Sequence, residues 1–310
     1  MVMNEQIATL PSLAVSFCGI TLKNPVVTVS GTCGFGQEYA DFYSPSALGA
    51  ITVKGLTLKP RLGNPTPRIA ETPAGILNSI GLQNPGVEHF LREELPRLKK
   101  QNAVVIANIA GSTIEDYCQM AETLSDSPVD FIEMNISCPN VKEGGVAFGT
   151  RPETVEKITF QVRKYTKKPL IVKLSPNVTD ITETARAAAA AGADALSLIN
   201  TLTGMRIDVR SRKPILANII GGLSGPAVFP VALRMVWQVR RAVSLPIIGM
   251  GGISDADTAV EMLLAGADII GVGTASFSNP SAPMEIISGI ADYLRKNRIS
   301  SVRELSQALL

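Results

Sequence analysis

The sequence predicts an α/β fold, a (β/α)8 TIM barrel with long βα loops and a small N-terminal β-hairpin. Three observations carry this expectation. Eight short apolar runs recur, at residues 26–30, 50–54, 104–109, 131–136, 170–174, 195–200, 247–250 and 269–272. Several lack polar alternation, as parallel strands buried on both faces do. Helix-compatible segments lie between them. The connector Ala-Gly-Ala-Asp also occurs twice, at 191–194 and 265–268. Each copy reads as a helix stopped by a C′ glycine, followed by a very short turn into a strand. One connector used twice among eight candidate strands favours a closed barrel over an open sheet.

Taken in order, residues 15–23 predict a hairpin capping the barrel floor. Helices are expected over 87–100, over the alanine-rich 179–191, over 227–243 behind Pro226, and over 255–264 with Ser254 as N-cap. The intervals 55–102 and 201–246 are too long for single βα connections. The first holds Pro60, Pro65, Pro67, Pro73 and Pro85 with several glycines, so most of it reads as loop. Long βα loops open on the catalytic face of a barrel, which makes these the roof of a site. No linker composition interrupts the chain, and one domain over 1–310 is expected.

Composition narrows the function. The 310 residues are 45% hydrophobic and 18% charged, with a net charge of +2, which argues against a nucleic-acid partner. No basic segment followed by an apolar core opens the chain, and no apolar run reaches about 18 residues, so no membrane and a cytoplasmic location are expected. Four scattered cysteines without a CxxC pair give no disulfide framework and no metal site.

The fourth run ends in Asn135-Ile136-Ser137-Cys138-Pro139-Asn140, which brings two amides, a hydroxyl and a thiol to one strand end. A thiol there suits a nucleophile, a metal ligand or a general base. Lys142-Glu143-Gly144-Gly145 behind it reads as a lid. Cys33, in Ser30-Gly31-Thr32-Cys33-Gly34, is the rival on the same face, whereas Cys18 and Cys118 read as buried and inert. The lone His89 falls in the 87–100 helix, far from any strand end, and reads as a surface residue. Lys54 and Lys173 close two strands, where a cation is costly unless it meets an anion or a reactive centre. Asn78, Asn108, Asn135 and Asn200 fall at strand ends or above them. A single Asn would be a turn former; four on one face suit a ring with alternating N–H and C=O groups. Gly249-Met250-Gly251-Gly252 and Gly271-Val272-Gly273-Thr274 follow the last two strands, where barrels commonly bind phosphate. From the residues alone, the two lysines suit a Schiff-base lyase or aldolase as well.

Jointly these motifs resemble class 1 dihydroorotate dehydrogenases. The resemblance rests on 135–145, on the run from Asn24-Pro25 to Ser30-Gly31-Thr32, on Asn78-Ser79-Ile80-Gly81-Leu82-Gln83-Asn84, on Asn200-Thr201 and on both glycine loops, and it spans residues 13–293. It implies an FMN enzyme that oxidises (S)-dihydroorotate to orotate in pyrimidine biosynthesis. By position, Cys138 would be the base. Lys54 would lie between flavin and substrate carboxylate. Asn78, Asn135, Asn200 and Thr201 would hold the substrate, with backbone contacts from Ser79, Ile80, Gly81 and Leu82. Ser30, Gly55, Asn108, Ile199 and Gly225 would contact FMN, and Asn135 would touch the cofactor too. Lys173 would stabilise charge on the reduced flavin, while Gly251, Gly252, Gly273 and Thr274 would cradle its phosphate. The membrane-associated class places serine at the Cys138 position, and the fumarate-linked class continues Asn-Val-Pro-Gly where this chain reads Asn140-Val141-Lys142-Glu143. The chain is thus most similar to the NAD-linked class 1B catalytic subunit. That class implies a partner carrying FAD and a [2Fe–2S] cluster, and a dimer of this chain within a heterotetramer. The alternatives are a fumarate-linked enzyme or another FMN-dependent dihydropyrimidine oxidoreductase.

Overall fold

The apolar runs pair as parallel strands of one closed ring. The structure, a computed structural model, describes residues 11–136 and 148–307. An antiparallel hairpin comes first, β1 (Val15–Phe17) and β2 (Ile20–Leu22). Its two-residue turn places Cys18 and Gly19 at φ 47° and 82°, the left-handed values such a tight hairpin needs. Cys18 therefore sits at the turn, half-buried rather than fully buried as expected, and packs against the cluster that holds Phe17 and Leu22. Its thiol lies 3.5 Å from the carbonyl oxygen of Asp194.

The barrel strands are β3 (Val26–Thr28), β4 (Ile51–Thr52), β7 (Val105–Ile109), β8 (Phe131–Asn135), β9 (Leu170–Lys173), β10 (Ala195–Leu198), β15 (Ile247–Met250) and β16 (Ile269–Val272). They lie in the order β3-β16-β15-β10-β9-β8-β7-β4, every pair parallel. A parallel bridge between Val27 and Ala50 joins the two ends and closes the ring. Closure sends alternate residues inward. Val27, Ala50, Ile106, Phe131, Ile171, Ala195, Ile248 and Ile269 form the lowest interior layer, and Phe17 and Leu22 of the hairpin plug it from below. The outward-facing apolar residues of the strands pack in one large cluster with the helices.

Around the ring run α1 (Val87–His89) and α2 (Leu95–Lys100), joined by a π-type segment over Phe90–Glu94, then α3 (Ile114–Ser125), α4 (Pro152–Arg163), α5 (Ile181–Ala190), α6 (Phe229–Ala242), α7 (Ala256–Leu264), α8 (Ala275–Ser278) and α9 (Ala282–Lys296). The cap of α7 is Asp255, one residue later than expected. Its carboxylate accepts from the Thr258 amide at 2.9 Å while the Thr258 hydroxyl accepts from the Asp255 amide at 3.2 Å.

The two long intervals hold more order than their composition suggests. β5 (Ile69–Thr72), β6 (Gly75–Asn78), β11 (Leu202–Met205) and β14 (Ile220–Ser224) form an antiparallel sheet, β11-β14-β6-β5, that walls one side of the mouth. The short pair β12 (Ile207–Asp208) and β13 (Lys213–Pro214) extends from it. Prolines and glycines hide these strands, and the partner of Asn78 is Gly222, far along the chain.

The repeated connector also has a reason for its aspartate. Gly192 and Gly266 take φ 96° and 109°, as C′ glycines do. Asp194 then accepts from the amide of Leu170 at 2.7 Å and from Arg163 at 2.6 Å. Asp268 likewise accepts from Ile247 at 2.8 Å and from Arg240. Asp130 repeats the arrangement with Val105, at 2.7 Å, and Lys99. Each carboxylate ties the start of one strand to the start of the next and to the end of a helix. At β3 a neutral Asn24 takes this place, accepting from Val26 and donating to the Ala47 carbonyl.

Asp268→Ala leaves the Ile247 amide without its acceptor and the mostly buried Arg240 guanidinium without its carboxylate, though still bonded to the Gly266 and Leu245 carbonyls. It should lower stability by about 1–3 kcal/mol, with Asp268→Asn in between, read from urea-denaturation midpoints.

Candidate functional site

A cavity of about 750 Å3 opens at the C-terminal ends of the strands, between the barrel and the β5/β6/β11/β14 sheet. This is within the range that small-molecule sites occupy. The barrel contributes Ser30 after β3, Lys54 after β4, Lys173 at the end of β9, and Ile199, Asn200 and Thr201 after β10. The sheet and the turn beyond it contribute Asn78, Ile80, Ser224 and Gly225.

The two glycine loops meet here, as expected. Gly251, Gly252, Gly273 and Thr274 all line the cavity. Gly225, Gly251 and Gly252 take φ 100°, 123° and 78°, the range that favours glycine. A Cβ on Gly252 would lie 2.7 Å from that of Phe229. The Thr274 hydroxyl donates to Ser224 Oγ at 2.9 Å. The result is a narrow, glycine-walled end suited to phosphate oxygens. Lys54 and Lys173 add positive charge to the same cavity, and Lys173 is only 4% exposed.

The remaining expected residues stand just behind this surface. Asn135 ends β8, and its side-chain oxygen accepts from Asn200 at 3.1 Å. Its backbone carbonyl accepts from the Tyr117 hydroxyl at 2.7 Å. Ser79 is buried, its amide donating to the Arg68 carbonyl and its own carbonyl accepting from Asn64. Gly81 and Leu82 follow with φ 75° and 58°. Gly55 lies directly behind Lys54, so close to Asn108 that a Cβ on it would stand 2.9 Å from Asn108 Oδ1. Asn108 is the penultimate residue of β7 and is fully buried. The side-chain oxygens of Asn108 and Ser79 are buried without a hydrogen-bond partner among the described residues. A buried polar atom without a partner calls for a water, an ion or a ligand.

The strand reading passed over Glu133 and Ser197. Glu133 is fully buried within β8. It accepts from the Asn108 side-chain amide, and from the Ser197 hydroxyl at 2.7 Å. A lone carboxylate in the otherwise apolar Phe-Ile-Glu-Met run was the available signal.

The thiols separate cleanly. Cys33 does not line the cavity but packs into the outer core, and Cys118 is buried on α3. Burial pushes the Cys33 thiol up to about 12, against partial relief from Thr28 and Lys54. A thiol held protonated in this way makes a poor base near neutral pH. Cys138, with the segment 137–147, lies outside the described residues. His89 sits on α1, part-exposed, 3.5 Å from Glu94. Among the described residues no cluster of His, Cys, Asp and Glu could hold a metal, and no helix is long and apolar enough to cross a membrane.

The family model described as dihydroorotate dehydrogenase matches residues 12–294. This chain belongs to the dihydroorotate dehydrogenase family. Among its relatives, the dihydroorotate dehydrogenase B (NAD(+)) catalytic subunit of Alkaliphilus oremlandii is 57% identical over 96% of this chain and 98% of its own length. The protein of the same name from Alkaliphilus metalliredigens is 56% identical over 97% of this chain and 100% of its own. That of Geotalea daltonii is 57% identical over 96% and 98%. The match covers the barrel, both glycine loops and the sheet at the mouth, so the cavity belongs wholly to the dehydrogenase family region.

Cys33 should resist iodoacetamide in the folded protein at pH 8 and react at once after denaturation. Peptide mass mapping of labelled protein reads both states.

Proposed function

We infer that this chain is the catalytic subunit of an NAD-linked dihydroorotate dehydrogenase, oxidising (S)-dihydroorotate to orotate in pyrimidine biosynthesis. The observation that carries the reading is near-full-length identity to three relatives of that name, joined to a cavity with a glycine-walled end and two lysines.

The residues present fit FMN. Gly251, Gly252, Gly273 and Thr274 leave space and polar groups for its phosphate, and the buried oxygen of Asn108 asks for a ring N–H. Ser30, Gly55, Ile199 and Gly225 complete that wall, with Asn135 beside it. When bound, FMN supplies the acceptor for the hydride leaving C6 of dihydroorotate.

This chain's residues do the rest. Cys138 takes the proton from C5, so that the C5–C6 double bond of orotate forms as both hydrogens leave. Lys54 meets the substrate carboxylate. Asn78, Asn135, Asn200 and Thr201 hold the ring through paired donors and acceptors. The 79–82 segment (Ser79, Ile80, Gly81 and Leu82) offers backbone groups to the same ring. Lys173 balances negative charge gathered on the cofactor side. A thiol accepts a proton only when ionised.

Electrons then leave through a partner subunit that carries FAD and a [2Fe–2S] cluster, in a heterotetramer built on a dimer of this chain. The absence of cluster-spaced cysteines in this sequence supports placing the cluster on the partner. The chain acts as one domain in the cytoplasm, without a metal of its own.

Anaerobic addition of dihydroorotate to the purified yellow protein should bleach its flavin absorbance. Cys138→Ala should slow that bleaching by about two to four orders of magnitude, the usual share of a general base, while Cys33→Ala leaves it nearly intact. An unperturbed thiol ionises at about 8.5, so the wild-type rate should rise with pH up to that region and then level off. Stopped-flow absorbance across pH 6–10 reads all three. A colourless protein that borohydride traps with substrate would support a Schiff-base enzyme instead.

The isolated chain should reduce artificial dyes with dihydroorotate but reduce NAD+ poorly. Adding the iron–sulfur flavoprotein partner should restore NAD+ reduction in a coupled absorbance assay. Efficient NAD+ turnover by the homogeneous chain would contradict the assignment, and rapid fumarate turnover would move it to the fumarate-linked class.

A further inference from the structure

We propose that Glu133 is a positioning residue, whose buried carboxylate turns the Asn108 amide so that its carbonyl faces the cofactor wall and selects a ligand edge bearing an N–H donor. The proposal rests on the FMN reading above and deepens it.

Glu133 is 0% exposed, and its two oxygens are taken by the Asn108 amide and, at 2.7 Å, the Ser197 hydroxyl. A carboxylate only accepts, so both neighbours must turn a donor toward it. For a serine this decides little, because one hydroxyl both donates and accepts. For an asparagine it decides everything, since donor and acceptor stand at opposite ends of one planar group. With its NH2 held on Glu133, Asn108 must present Oδ1 elsewhere. The sense of this amide follows from the partner's chemistry and not from shape, which is the same for either sense.

That oxygen is buried and has no partner among the described residues. A Cβ on Gly55 would stand 2.9 Å from it and 3.6 Å from the Ser30 hydroxyl. Ser30 and Lys54, the latter adjoining Gly55 in the chain, both line the cavity. Asn108 Oδ1 is thus an acceptor set against the wall of the site, and burying it unmet is unfavourable. A ring N–H satisfies it, while a ring carbonyl in the same place is repelled. Were the carboxylate replaced by a group that also donates, the amide could turn over and present NH2, and the wall would lose its preference.

Fluorescence titration of FMN into apo-protein tests this through a double-mutant cycle. Glu133→Gln keeps the volume but adds a donor, and it should weaken FMN binding about ten-fold, the scale of one hydrogen bond to a buried acceptor. Asn108→Ala should weaken it by at least as much. In the Asn108→Ala background, Glu133→Gln should then change affinity by less than about two-fold, because no amide remains to be turned. A merely structural role would lower affinity equally in both backgrounds, and that result overturns the proposal, as does wild-type affinity for Glu133→Gln. Thermal unfolding of each apo-variant checks its folding. Should Glu133→Gln not fold, Ser197→Ala completes the same cycle: a two- to three-fold loss that vanishes in Asn108→Ala supports the proposal, and no loss overturns it. If wild-type apo-protein takes up no FMN, the cofactor reading fails and this proposal with it. FMN uptake with an unresponsive Glu133 overturns the proposal alone.

Discussion

Closing a sheet into a ring drives every second strand residue into a space that water does not share, and most of this protein's design answers that constraint. At the floor the answer is apolar: Val27, Ile106, Phe131, Ile171, Ile248 and Ile269 fill the ring, with Phe17 and Leu22 beneath. Two residues further along the same strands, inward positions carry Asn108, Glu133, Lys173 and Ser197, all nearly or wholly buried. Polar groups at that depth are stable only when matched, so they arrive as a set. The floor makes the ring possible, and the polar layer above it is the base on which the cavity stands.

The geometry of strands also explains why the site gathers residues remote in sequence. Lys54, Lys173, Asn200, Gly251 and Thr274 belong to five different strand ends, yet they line one cavity because parallel strands in a ring all end on the same side. Helices and their connectors at the opposite end are free to serve stability alone. The sheet of β5, β6, β11 and β14 adds what a ring of strand ends lacks, a side wall carrying Asn78 and Ser224.

Much of this was legible before any coordinates. Buried parallel strands announce themselves as apolar runs, and both Ala-Gly-Ala-Asp connectors stand where their glycines predicted helix ends. The side wall was not legible, because its strands are short, interrupted by Pro73 and several glycines, and paired across more than a hundred residues. Asn108 stands next to the end of its strand as the sequence suggested, but its complete burial was not legible there. Cys18 is only half-buried because a two-residue turn sets it at the tip of the hairpin. Glu133 shows the opposite failing. Its charge was plain in the sequence, but a role for it required seeing which amide it holds.

The aspartates at 130, 194 and 268 divide the ring in a way the strand order alone does not. Each ties β7 to β8, β9 to β10, or β15 to β16 at the floor, so the ring is assembled from latched pairs of strands. At each such start, Val105, Leu170 and Ile247, the amide donates to a carboxylate, and strands joined in this way tend to open as a unit. These latches stand at the floor, opposite the strand ends that carry the cavity. Ties of this kind at one end leave the side chains at the other to be chosen for the cavity they line.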